Sequence, residues 1–268
     1  MFSLIINELA KSVISRGHHG IQLVQDAAEI FLLLFADDVA LVSSTPSGLQ
    51  NQLNILHEEA VKLKLVVNLD KTNVVVFRNG GPLARKEKWL YGESPLVVVN
   101  AYKYLGLSLT SKLSKVKAVL DFVPKAKRKV VSILNALNKI NCSNWNVFCK
   151  LLDTQVLPGL LYASEIWGSC RLEIIDRVQV FAIKQFLRLP SRTPTLVVYG
   201  DSGRFPLVCL SQIRCVKYWL RIIKLDHDRL PRMAYHSSYC LAEIGKKSWA
   251  GGVKQLLLSY GFGEVWYN

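Results

Sequence analysis

The stretch IFLLLFADDVALVSS, residues 30–44, sets two adjacent carboxylates, Asp37 and Asp38, inside an otherwise apolar run. Like charges side by side repel, and removing either from water is costly unless a cation compensates. A divalent metal is the natural compensator. The run predicts two strands, Ile30 to Phe35 and Val39 to Ser43, turning at the aspartates. Both are apolar on either face, the pattern of a sheet covered on both sides, so the turn is expected to emerge from a buried platform and aim both carboxylates at one point. Hard oxygen donors suit Mg²⁺ or Mn²⁺, and two such ions clamp the attacking and leaving oxygens of phosphoryl transfer. Taken alone, the dipeptide reads more simply as a solvated turn, since Asp is a common turn residue.

The flanking segments carry the reading further. Thr45 and Pro46 form a helix cap and first helical position, and Leu49, Leu53, Leu56, Ala60 and Leu63 follow at helical spacing. Strand-like alternation at Leu65, Val67 and Leu69 leads through Asn68, Asp70 and Lys71 to a strand from Val74 to Phe77. A further β pair is expected from LVVV (96–99) and YKYLGLSL (102–109). Hairpin, helix, strand and strand pair, in that order, predict an α+β fold with a helix packed on an antiparallel sheet.

Together these residues resemble the reverse transcriptases of non-LTR (LINE-type) retrotransposons. The F-A-D-D of Phe35 to Asp38 is similar to the family's aromatic-x-Asp-Asp catalytic turn. NLDKTNVVVF (68–77) is similar to its next palm motif, and YKYLGL (102–107) to the strand that grips the primer end. MFSLIINELAKSV (1–13) resembles the helix preceding the catalytic hairpin. VLPGLLYASEIWG (156–168) and VYGDSGRFPL (198–207) resemble segments of the helical region after the palm. Six segments in the family's order are far more specific than any one of them.

The resemblance implies a partial polymerase palm over residues 1–110, a basic, helical, thumb-like segment over 111–142 and a mainly α-helical C-terminal region over 143–268. It implies RNA-directed DNA polymerase chemistry, with Asp37 and Asp38 as catalytic metal ligands for Mg²⁺ or Mn²⁺, Asp38 being the weaker contributor. Lys71 would protonate the leaving pyrophosphate, and Tyr104, Leu105 and Gly106 would lie against the primer end. An RNA template paired with a DNA primer is the implied partner, and a dNTP would need the family's fingers as well. In that family a further metal-binding aspartate lies on a strand upstream of the helix with which this chain begins. No residue here replaces it by inspection. Glu8 lies on the helix, and Asp26 precedes Asp37 by eleven positions, far from the turn at roughly 3.3 Å per extended residue. The expectation is therefore the C-terminal part of a polymerase, holding metal weakly and inactive by itself. The alternative is a non-catalytic nucleic-acid-binding remnant of a degraded retroelement. Apolar strands without their upstream cover would leave an open edge through which copies of the chain self-associate.

Composition agrees. The 268 residues are 50% hydrophobic, enough for a sizeable core, with 34 basic and 20 acidic side chains and a net charge of +14. Residues 1–60 carry two basic and seven acidic side chains, whereas the remainder carries 32 basic and 13 acidic. An acidic end that holds cations, joined to a basic body that neutralises phosphates, is the asymmetry a polymerase needs. The excess peaks in a helical stretch over 112–139. There Lys112, Lys115, Lys117, Lys125, Lys127, Arg128, Lys129 and Lys139 oppose only Asp121. A solvated helix face is the plain reading, but a run this one-sided recruits an anion, and Lys125, Lys127, Arg128 and Lys129 are the candidate nucleic-acid contacts.

From Ser143 onward the pattern is helical over 144–163, 172–187 and 208–225, punctuated by prolines. Trp145, Trp167, Trp219, Trp249 and Trp266 read as packing anchors. Gly200 to Gly203 spell G-D-S-G, the nucleophile sequence of chymotrypsin-like proteases, but the surroundings are helical, and Asp201 reads as structural. His18 and His19 sit between glycines and read as a surface loop. The six cysteines, all after residue 140, lack C-x-x-C spacing, which argues against a zinc site or disulfide framework. Glu8 and Lys11 interrupt the N-terminal apolar run too early for a signal peptide, and no apolar stretch is long enough to span a bilayer. An intracellular protein, nuclear or cytoplasmic and not secreted, is expected.

Overall fold

The computed structural model describes residues 2–16, 20–24, 28–78, 81 and 87–267. His18, His19 and Asp26 lie outside the described residues. The fold is mixed α+β, and the chain divides into two compact units, residues 1–103 with 109–113 and residues 104–108 with 114–268.

The first unit begins with helix α1 (Phe2–Arg16). Strands β1 (Ile21–Val24), β2 (Ala28–Ile30), β3 (Leu32–Phe35) and β4 (Asp38–Leu41) follow, then helix α2 (Pro46–Lys62). Short strands complete it: β5 (Asn73–Val74), β6 (Leu90–Tyr91), β7 (Ser94–Pro95), β8 (Val97–Val98), β9 (Ala101–Tyr104) and β10 (Leu107–Thr110). They pair two by two: β1 with β2, β3 with β4, β6 with β7 and β9 with β10, while β5 pairs with β8 in parallel. Ile6, Leu9 and Val13 of α1 and Leu53 and Leu56 of α2 recur at helical spacing and bury their apolar stripes against Phe31, Val74, Trp89, Tyr91 and Leu96. Thr45 caps α2 as its sequence implies, its hydroxyl accepting from Gly48 N at 3.1 Å. The Gln50 amide then pairs with the Leu90 backbone in both directions, at 2.8 and 2.9 Å, and seats β6 on α2.

The expected strands are shorter and partnered differently. The run from Ile30 to Phe35 breaks at Phe31, because Ile30 pairs with Ile21 while Leu32 pairs with Leu41, and the Phe31 ring turns into the core. The hairpin is not buried on both faces: Leu34 is 37% and Phe35 60% exposed. No strand forms at residues 65–69. Lys64 takes φ 55°, the left-handed region that ends a helix rather than starting a strand, and Val66 is exposed. The strand expected from Val74 to Phe77 is confined to Asn73–Val74. LVVV does not pair with YKYLGLSL, which is itself the β9 and β10 hairpin. Its turn needs positive φ at Leu105 (46°) and Gly106 (84°), and glycine supplies the second at no steric cost.

The second unit is helical: α3 (Lys115–Leu120), α4 (Phe122–Lys139), α5 (Trp145–Leu151), a π-helical turn over Leu152–Val156, α6 (Leu157–Leu160), α7 (Ser164–Trp167) and α8 (Ile174–Phe186). It continues through α9 (Thr195–Ser202), α10 (Leu207–Ile223), α11 (Leu230–Glu243), α12 (Trp249–Ser259) and α13 (Glu264–Tyr267). One core runs from Val119 of α3 to Val208 of α10, and a second gathers Cys215, Trp219, Val253, Leu257 and Trp266. Trp167, Trp219 and Trp266 are buried anchors, as their spacing implies, and Trp145 and Trp249 pack beside these cores. A half-buried polar seam ties α8 to the start of α10. Asp176 accepts from Leu207 N (2.5 Å) and Val208 N (3.3 Å), Gln179 donates to Phe205 O (2.8 Å), and Arg204 forks onto Asp153 (2.5 and 2.9 Å). The G-D-S-G segment closes α9, where Gly203 takes φ 64° as a left-handed cap; Asp201 is exposed. Among the described residues no helix is long and apolar enough to cross a membrane, and all six cysteines are free.

Two outcomes follow from this packing. Arg16 of α1 bonds Glu58 (2.6 Å) and Glu59 (2.7 Å) of α2, and Lys62 bonds Glu59 at 2.7 Å. Hydrogen bonds, that from Lys62 foremost, then those from Ser12 and Arg16, hold the Glu59 carboxyl down at about 2 from an ordinary 4.5. A lowered folded pKa stabilises above the ordinary value, and the gain is lost as pH falls toward the folded one. Urea unfolding followed from pH 4.5 to pH 2 is therefore expected to lose more stability in the natural chain than in Glu59→Gln. Burial pushes the Asp176 carboxyl up while the two N–H bonds from α10 pull it down. Asp176→Ala, which leaves those N–H groups unpaired, is expected to cost about 2 kcal/mol in equilibrium unfolding, with Asp176→Asn recovering part of the loss.

Candidate functional site

The β3 and β4 hairpin reverses in two residues. Phe35 pairs with Asp38, so only Ala36 and Asp37 lie between the strands, and Ala36 closes the turn at φ 54°. A residue with a Cβ is strained there, by about 1 kcal/mol. Val42 N donates to Phe31 O at 2.9 Å and prolongs the ladder on the far side of the hairpin, where Leu32 and Leu41 pack against the core. Asp37 therefore leaves from the tip and Asp38 from the first position of β4, on the same face as Phe35. Both are exposed, and neither carboxylate has a hydrogen bond or ion pair among the described residues. Also among the described residues, no group of three or more His, Cys, Asp and Glu side chains is placed to hold a metal ion. The acidic pair stands alone as two hard oxygen donors.

Lys71 lies in the same unit, on the turn after α2. Its backbone is pinned: Lys71 N donates to Asn68 O (3.3 Å) and Oδ1 (3.2 Å), while its carbonyl accepts from Asn73 Nδ2 (3.2 Å) and the Tyr102 hydroxyl (3.3 Å). Its ammonium is exposed.

Tyr104, Leu105 and Gly106 form the tip of the β9 and β10 hairpin and belong to the second unit. Tyr162, which the sequence reading did not single out, clasps that tip. Its hydroxyl donates to Leu105 O at 2.6 Å, and a Cβ on Gly106 would sit 3.4 Å from its ring. Trp167 Nε1 in turn donates to Tyr162 O at 2.9 Å, and Ala163 takes φ 55° to place the tyrosine. Within an apolar helical run the only sign of Tyr162 was its one hydroxyl.

The basic residues of α4 do not share a face. Phe122, Val123, Ala126, Val130, Ile133 and Leu137 are its buried stripe. At about 100° per residue, Lys127 and Lys129 fall on opposite flanks of that stripe and Arg128 on its back. Lys129 Nζ donates to Gln155 O (3.1 Å), and Lys127 Nζ lies 5.8 Å from the centre of the Phe181 ring. Lys125, Lys127, Arg128 and Lys129 are all exposed.

Residues 1–109 match the model of the family described as reverse transcriptase (RNA-dependent DNA polymerase). The chain is 24% identical over 178 residues to the RNA-directed DNA polymerase of the mobile element jockey of Drosophila funebris, covering 60% of this chain and 18% of that one. It is 27% identical to a transposon-derived protein of Caenorhabditis elegans, covering 68% of this chain and 64% of the relative. With the Pol polyprotein of the type-1 retrotransposable element R2 of Bradysia coprophila it shares 24% identity over 244 residues, 87% of this chain and 27% of that one. The chain thus spans less than two thirds of the length of each of these relatives. No solved structure matches it significantly. With its FADD turn inside the matched segment, and with relatives of the jockey and R2 kind, the chain is similar to the reverse transcriptases of non-LTR (LINE-type) retrotransposons.

Proposed function

We propose that the chain carries part of the palm and the thumb of an RNA-directed DNA polymerase, adding deoxynucleotides to a DNA primer on an RNA template. In this reading residues 1–110 are palm, 111–142 thumb and 143–268 the helical region that follows. The observation that carries it is the two-residue FADD turn, which holds two exposed carboxylates without a protein partner among the described residues, inside the segment that matches the reverse transcriptase family. A pair of hard, anionic donors fits Mg²⁺ or Mn²⁺. Asp37, at the tip, is the principal ligand, joined by an aspartate that the family places upstream of the helix resembling α1, and Asp38 is the weaker one. When bound, the ions supply positive charge to the attacking 3′ oxygen and the leaving pyrophosphate. Lys71, with its backbone fixed by Asn68 and Tyr102, offers its ammonium proton to that pyrophosphate. The tip at Tyr104, Leu105 and Gly106 rests against the primer end, and the basic residues fanned around α4 neutralise phosphates of the duplex without reading its sequence.

Two measurements test this. Joined in frame to the upstream palm and fingers of a jockey-type relative, the chain is expected to extend a primer on an RNA template in Mg²⁺ or Mn²⁺. Asp37→Ala lowers that rate by about a thousandfold, equivalent to about 4 kcal/mol, and Asp38→Ala by less. The 268-residue chain alone is expected to give no extension. Extension indifferent to Asp37→Ala would overturn the site, and extension by the chain alone that Asp37→Ala abolishes would overturn the need for the upstream aspartate. Separately, primer and template duplexes should bind in a salt-sensitive, weakly sequence-selective manner. Reversing Lys125, Lys127, Arg128 and Lys129 to Glu should weaken binding and reduce the slope of log affinity against log salt by about 2 to 4. Such binding without extension in the joined protein favours the non-catalytic remnant.

A further inference from the structure

A cleft of about 530 Å³ opens between the C-terminal halves of α4 and α8. Two helical stripes face each other across it: Val131, Asn135 and Asn138 on α4, and Phe181, Gln185 and Arg188 on and just after α8. Each repeats at intervals of three, four or seven, the spacing that keeps side chains on one helical face. Two aromatic residues, Phe181 and Phe186, line it, and packing outside the cleft holds the second. Phe186 stacks on Phe148 with ring centres 4.2 Å apart and planes 13° from parallel, and Trp145 tilts against both. One turn before Val131, the Lys127 ammonium lies over the ring of the lining residue Phe181. The side chains of Asn135, Asn138, Gln185 and Arg188 are exposed and make no hydrogen bond among the described residues.

We infer that this cleft takes a single unpaired nucleobase together with the phosphate attached to it. Three planar amides both donate and accept, as the edge of a base requires. The Phe181 and Phe186 rings offer a stacking surface that tolerates any base. Lys127 and Arg188 supply the cations that a phosphate beside the base needs, and the cleft adjoins the basic residues of α4 rather than lying apart from them. Its volume suits one nucleotide and its ribose. A base within a duplex has its edge paired and its faces stacked, so the occupant is single-stranded, flipped out, or a free nucleotide. The inference rests on the nucleic-acid reading above, shares Lys127 with it, and concerns the neighbouring cleft and a different form of the polymer.

The test uses the 268-residue chain and a single-stranded oligonucleotide carrying one 5-iodouracil, with irradiation and peptide mapping of the adduct. The adduct is expected on Phe181 or Phe186. The triple variant Asn135→Ala, Asn138→Ala, Gln185→Ala should bind the single strand about tenfold more weakly while its unfolding midpoint and its duplex affinity stay as they were. Asn138→Phe, which fills the cleft, should abolish the adduct. 5-Iodouridine monophosphate forming the same adduct, and competing with the oligonucleotide at equal concentration, would assign the cleft to a free nucleotide. An adduct elsewhere, with single-strand affinity unchanged in both variants, overturns the inference and leaves salt-sensitive duplex binding intact. Absence of binding to duplex and single strand alike would instead remove the nucleic-acid reading itself.

Discussion

The shortness of the connection between β3 and β4 is the constraint on which the proposed site depends. With Phe35 paired to Asp38, the chain has two residues in which to reverse, and Ala36 accepts a left-handed backbone to do it. A longer loop would relieve that strain and let the acidic side chains wander. Strand register is what keeps the loop short. A slip of one residue would exchange the faces of Asp38 and Val39 and turn Leu32 and Leu41 away from the core. The apolar residues on either side of the aspartates are therefore the means of positioning them. Their packing against α1 and α2 fixes the register, and the register fixes where two charges leave the turn.

Much of this was legible in the residues because it rests on local rules. Thr45 and Pro46 marked the start of α2, the buried stripes of α2, α4, α8 and α10 followed helical spacing, and the acidic pair marked the turn. What escaped depended on left-handed turns or on partners distant in sequence. YKYLGLSL has a strand's composition throughout, and only the positive φ at Leu105 and Gly106 converts it into a hairpin. Residues 65–69 alternate like a strand, but Lys64 and the Asn68 turn claim the backbone first. Phe31 interrupts an apolar run because two different ribbons share that run. Tyr162 could not be read as a clasp, since its partner is a backbone carbonyl 57 positions away.

The basic run shows how a one-sided sequence becomes a many-sided surface. Lys127, Arg128 and Lys129 are consecutive, so the helix fans them about 100° apart and the buried stripe passes between the first and the last. Charge spread around a helix is poorly suited to reading one set of base edges, which demands convergent donors, and well suited to a phosphate backbone met from several angles. The flanks then differ by what stands beside them. Lys129 is drawn to a carbonyl of the π-helical turn, whereas Lys127 stands over the ring of Phe181, which lines the cleft.

The β9 and β10 tip takes its rigidity from the helical unit. Leu105 O accepts from Tyr162, Leu107 packs against the core that begins at Val119, and Ser108 bonds the Asp121 carboxylate between α3 and α4. Contacts at Leu105 and at the first two residues of β10 leave the tip little freedom, and the glycine beside Leu105 takes φ 84° with the Tyr162 ring within van der Waals reach. Asp121 is the single acid in the basic stretch over 112–139, and its carboxylate holds the tip. Removing that charge would make the stretch more basic and at the same time loosen the turn proposed to meet the primer end. Electrostatic attraction for nucleic acid and the placement of that end therefore make opposing demands on this one position, and an acid there meets the second at the expense of the first.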